Sequence, residues 1–138
     1  MNTKTEQELN TFIEDWNETS AAAKNSFSHF KNYLSKKKGV SLDFIARPGI
    51  TYSLRAIHKN QTSRKLFVMV DVIEDTTRWL SICFYSDMIT DPQGKGDVVP
   101  SGLLGEDAIC FDFEEQSDGM RSYLEKRIDE CLLQLMPS

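Results

Sequence analysis

Residues 65–73, KLFVMVDVI, and residues 78–85, RWLSICFY, decide the fold. Both runs are rich in β-branched and aromatic residues, and the polar EDTT at 74–77 between them reads as a turn, so together they predict an antiparallel hairpin. The run before them, ITYSLRAIHK at 50–59, alternates in the same way and is joined to them by NQTS at 60–63. A shorter run at 41–47 closes on Pro48-Gly49, and a last one at 108–114 follows a long loop. The expectation is an antiparallel meander of about five strands.

Helices flank this sheet. From residue 5 to residue 37, apolar or small residues recur at Leu9, Ile13, Trp16, Ser20, Ala23, Phe27, Phe30 and Leu34, alternating steps of four and three. That is one helical stripe. An unbroken helix of this length would measure about 45 Å, longer than a domain of this size is wide. Either it breaks near Asn17–Ser20 or one end projects. Residues 115–136 carry a second stripe through Met120, Leu124, Ile128, Cys131 and Leu135. The fold class expected is therefore α+β: one domain over residues 1–138, its sheet flanked by a long N-terminal helix and a C-terminal helix.

With tight turns of even length, period two assigns the faces. Ile50, Tyr52, Leu54 and Ala56 then share an apolar face with Phe67, Met69, Ile73, Leu80, Ile82 and Phe84. The opposite face collects Thr51, Ser53, Arg55 and Ile57 with Val68, Val70, Val72, Trp79, Ser81, Cys83 and Tyr85. This second face is half polar and half apolar, a composition that suits contact with something else. On it Ser53, Arg55, Trp79, Ser81 and Tyr85 are the candidate ligand-binding residues. Asp71 falls on the core side in this register, where a carboxylate needs a partner such as Arg78 or Arg47.

The chain's 138 residues carry a net charge of −5, and the charge is uneven. Residues 24–65 hold seven Lys and three Arg against Asp43 alone, whereas residues 66–138 hold fifteen acids against five basic residues. Blocks of opposite sign in one domain neutralise each other across a fold. The basic block, with Tyr33 and Tyr52 interleaved, admits single-stranded nucleic-acid binding as a third reading, but the acidic loop nearby would repel phosphate and argues against nucleic acid as a partner.

Cys83, Cys110 and Cys131 form no C-x-x-C pair, and each lies inside an apolar pattern. They read as small hydrophobes rather than as a disulfide framework. The polar N-terminus offers no apolar stretch for a secretion signal, and no run reaches the roughly 20 residues of a membrane helix, so a cytoplasmic location and no membrane partner are expected. The 86–107 loop is long and carries Asp87, Asp91, Asp97, Glu106 and Asp107. Its acids lack EF-hand spacing and its glycines do not make a phosphate loop. The two histidines, His29 and His58, are too few for a three-histidine metal site. No catalytic residue, metal or cofactor is expected. The reading that results is a non-enzymatic interaction module, a homodimer or a binder of another protein, using the mixed face and the 86–107 loop. A small-molecule pocket around Arg55 and Trp79 is the alternative.

Overall fold

A computed structural model describes residues 3–17, 22–113 and 118–136. The elements run α1 (Thr3–Asp15), α2 (Ala22–Ser35), β1 (Val40–Arg47), β2 (Thr51–His58), β3 (Val68–Ile73), β4 (Trp79–Tyr85), β5 (Asp97–Leu103), β6 (Glu106–Phe113) and α3 (Asp118–Leu135). The strands form one antiparallel sheet in the order β1-β2-β3-β4-β6-β5. This is the α+β fold expected, with six strands instead of five.

The N-terminal stripe is split between α1 and α2. Glu18, Thr19 and Ser20, where the break was expected, lie outside the described residues. Trp16, just past α1, is 2% exposed and packs against Phe12 and Phe27. The Lys24 ammonium donates to the Trp16 carbonyl at 3.0 Å. Both halves of the stripe thus fold onto one sheet face, which a straight 45 Å rod could not do.

That face is the core. Leu9, Phe27, Phe30 and Leu34 from the first two helices, and Leu124, Ile128 and Cys131 from α3, are fully buried. They meet Leu54, Val70, Val72, Leu80, Ile82 and Phe84, with Phe111 and Phe113 beside them. Edge-on ring pairs such as Phe30–Phe113 and Phe84–Phe111 fix the geometry of contact.

The register corrects the expectation in one strand. Leu54 pairs with Val70 and Tyr52 with Val72, so Val68, Val70 and Val72 face the helices while Met69, Asp71 and Ile73 face away. The reason is connection length. The β2–β3 ladder stops at Ala56↔Val68, leaving residues 57–67, an odd number, and the β3–β4 ladder stops at Ile73↔Trp79, leaving residues 74–78, again odd. Each odd connection inverts the parity assumed for an even turn. The two inversions cancel between β2 and β4, so only β3 is turned over.

The sixth strand lies within the segment expected to be a loop. β5 is an edge strand, interrupted by Pro100 and by a register shift between Val99 and Leu103, and most of it is exposed. It therefore lacks the alternation that marks a half-buried strand. Leu104 and Gly105, both with positive φ, make the two-residue turn into β6.

The cysteine expectation is also corrected. Cys83 on β4 lies directly opposite Cys110 on β6, Cα atoms 4.2 Å apart, and the two are joined by a disulfide. Spacing could not show this, because the pairing depends on β6 docking beside β4 across an intervening hairpin. Cys131 remains a free, buried thiol whose pKa is pushed up by burial. The intact mass of the protein should rise by two hydrogens on reduction, and the Cys83→Ser/Cys110→Ser double variant should lose about 3.5 kcal/mol in a denaturant titration, the stabilisation of a cross-link closing a loop of this length. An unchanged mass on reduction would contradict the assignment.

Candidate functional site

α1 packs on Phe44 and Tyr52 through Phe12, α2 on Phe113 through Phe30, and α3 on Phe111 through Tyr123. All of these sheet residues belong to the core face. No described helix or strand is laid over the other face. An antiparallel sheet tolerates one face in water, but such a face is ordinarily polar. Here it is mixed.

The face is organised in rows across the strands. The central row is Ile45–Ser53–Asp71–Ser81–Asp112, and the adjacent row is Asp43–Arg55–Met69–Cys83–Cys110–Asp97. At one end Thr51, Ile73 and Trp79 align with Arg47. Ser53, Arg55, Trp79, Ser81 and Tyr85 are thus on one face of the sheet. Val68, Val70 and Val72, expected beside them, are not there. Their place is taken by Met69, Asp71 and Ile73.

Asp71 is the electrostatic centre of the face. Its cross-strand neighbours are Ser53 and Ser81. Burial pushes its carboxyl up, opposed by hydrogen bonding to Ser53 and by the charges of Arg55 and Arg47. Its Oδ1 is buried without a hydrogen-bond partner among the described residues. Arg78, the other expected partner, pairs with Glu74 at 2.7 Å instead. The Arg55 Nε donates to Ser53 Oγ at 3.2 Å, so Ser53 links the Arg55 cation to the Asp71 carboxylate.

Tyr85, one of the expected ligand-binding residues, is 1% exposed. The Arg64 guanidinium lies 4.0 Å over its ring and donates to both oxygens of Asp87, at 2.8 and 2.9 Å, and to Glu106 at 2.9 Å. This paired fork holds Asp87 below the usual carboxylate range, its hydrogen bonds from Arg64 being the main cause. Arg64 on the β2–β3 connection is a residue that the sequence offered no means of singling out. Beside this clamp lies a cavity of about 470 Å³, lined among others by Asp43, Arg55, Ile57, Lys65 and Glu106. Arg55 and Tyr85 border it, whereas Ser53, Trp79 and Ser81 do not.

The remaining chemistry-bearing groups serve the scaffold. His29 Nε2 is 2.5 Å from Glu125, and the buried His58 accepts the Asn60 N–H at Nδ1. Asp91 accepts from Tyr123 and from the Lys95 and Gly96 N–H groups, and Asp107 accepts from Ser101. Among the described residues no cluster of three or more metal-ligating side chains occurs. The basic 24–65 segment is dispersed: Lys24, Lys31 and Lys37 are on the helix layer, and Arg47 and Arg55 on the opposite face. No described helix is long and apolar enough to cross a membrane.

Asp71→Asn should test this account of the face. A raised folded pKa means that the unfolded chain ionises first, so wild-type stability falls as the pH climbs past the ordinary value of 3.8. The Asn variant should therefore be the more stable protein at pH 7, with the difference closing in acid. Thermal melts across that range will show it, and a variant less stable at neutral pH would contradict the electrostatics.

Comparison with protein-family models, with characterised proteins and with solved structures returns no match for this chain, so its function is read from this geometry alone.

Proposed function

We propose that this chain is a non-enzymatic binding module whose uncovered sheet face takes a protein partner. The observation that carries the reading is the composition of that face. Ile45, Ile57, Met69, Ile73 and Trp79 are each only half-buried there, set among Arg55, Asp71 and the two serines. A face meant only for water would not hold a Trp and four large aliphatic side chains in neighbouring strands, whereas a contact surface combines apolar area with a few polar groups that fix register. The non-enzymatic part rests on the commitments of the reactive side chains. Both histidines and two of the cysteines are engaged within the scaffold, and the third cysteine is sealed in the core.

Trp79→Glu and Ile73→Glu place a carboxylate in the middle of the apolar end of the face while leaving the core untouched. In chemical cross-linking followed by affinity purification from cells, each should lose a protein partner that the wild type and Leu133→Glu, on the exposed side of α3, both retain. A partner kept by all four, or none captured at all, would overturn the reading.

A second reading is favoured by the cavity at the end of the face. Arg55 and Lys65 border it, and neither makes an ion pair within 4 Å among the described residues. These two cations outnumber Asp43, the carboxylate of the lining that likewise has no ion pair among the described residues, and the balance suits a small anionic ligand. If this is the function, native mass spectrometry of freshly purified protein should reveal an adduct that Arg55→Ala lacks.

A further inference from the structure

The sheet has two edges, and the chain treats them differently. At β5 the edge is blunted by Pro100, which has no N–H, by Ser101 at φ 55°, and by the register shift between Val99 and Leu103. At β1 the edge is eight residues long and has no proline and no bulge. Its pairing parity can be read directly. The Lys59 N–H donates to the Gly39 carbonyl, so odd-numbered positions turn their backbone groups toward β2. The Phe44 N–H, an even position, donates instead to the Asp43 carboxylate at 2.9 Å. Leu42, Phe44 and Ala46 therefore present their backbone groups to the outside.

The side chains of this strand are self-complementary. On the uncovered face β1 shows Asp43, Ile45 and Arg47, an acid and a base placed symmetrically about an isoleucine. Neither Asp43 nor Arg47 has an ion-pair partner within 4 Å among the described residues. Rotating a second chain by a two-fold axis normal to the sheet beside Ile45 brings Asp43 opposite the Arg47 of the other copy, and Arg47 opposite its Asp43. In the same register Phe44 lies opposite Ala46 as a hydrogen-bonded pair, which agrees with the outward parity of the even positions. The charged pairs then fall at non-hydrogen-bonded sites, where opposed side chains are closest. Moving the two-fold to Phe44 or Ala46 matches no charges.

The helix layer fits the same operation. Beside the β1 edge, between it and α1, is an apolar cavity of about 510 Å³ floored by Phe12, Phe44, Ala46 and Tyr52, with Lys4 and Glu8 among its other lining residues. A two-fold copy would set its own α1 next to this cavity, and lining groups of both signs give no net repulsion. We propose that this protein forms a homodimer by antiparallel pairing of β1 with β1 of a second copy, making one twelve-stranded sheet. On pairing, the Asp43 carboxylate leaves its own Phe44 N–H for Arg47 of the other copy, and that N–H passes to the facing Ala46 carbonyl. The proposal does not rest on the binding role of the uncovered face, although pairing of this kind would double that face.

Sedimentation velocity over a concentration series tests it. Wild-type protein should dimerise. Asp43→Arg alone and Arg47→Asp alone should each weaken association about tenfold or more, since each sets like charges opposite one another twice per dimer. An equimolar mixture of the two variants should recover a one-to-one dimer, because both cross-strand pairs become Arg with Asp again. A monomeric wild type, single variants that dimerise as well as wild type, or a mixture that stays monomeric would each overturn the proposal. None of these outcomes depends on whether Trp79→Glu loses its partner, so the two ideas fail separately.

Discussion

The structure depends on one asymmetry: every described helix packs on the same side of the sheet. Phe27, Phe30 and Leu34 from α2 and Leu124 and Ile128 from α3 supply one layer, and the alternate residues of β2, β3, β4 and β6 supply the other. Burial of this apolar area is the dominant favourable term in the fold. Because side chains alternate along a strand, choosing which residues meet the helices also chooses which residues are turned away from them. The uncovered face is thus a consequence of core formation, and its composition is what a partner would meet.

On that face, burial and neighbouring charges act on the polar groups together. Asp71 is kept among Ser53, Ser81 and two arginines at a cost in desolvation, and its raised pKa records that cost. Arg64 shows the opposite balance, for two carboxylates and an aromatic ring accept its guanidinium together, and Asp87 is held ionised as a result. The two carboxyls shift in opposite directions, Asp71 upward and Asp87 downward. Burial is the main cause of the first shift and hydrogen bonds from a fork of donors of the second.

The edges of the sheet follow a related logic. A free strand edge carries unmet backbone donors and acceptors, and β5 manages them with proline, a bulge and exposure. β1 uses only the Asp43 carboxylate over a single N–H. The disulfide between Cys83 and Cys110 reinforces the interior instead, tying β4 to β6 where the sheet order departs from chain order. Among the described strands, β4 and β6 are the one neighbouring pair that is not consecutive in the chain.

By itself the sequence determined the fold class, the two helical stripes and the faces of β2 and β4, because periods of 3.6 and 2 are local properties of an amphipathic element. It also placed Arg55, Ser53, Trp79 and Ser81 together, since those strands lie an even number of inversions apart. What it could not determine was anything set by the length of an irregular connection or by the docking of distant elements. The face of β3, and with it the position of Asp71, turned on whether residues 57–67 and 74–78 count as odd or even in the ladder. β5 was hidden because an exposed edge strand needs no apolar alternation. The Cys83–Cys110 bond and the Arg64 clamp over Tyr85 join residues more than 20 positions apart. Only the tertiary structure decides such contacts, because they come from the packing of whole elements, and no local pattern of residues records where a neighbouring strand will lie.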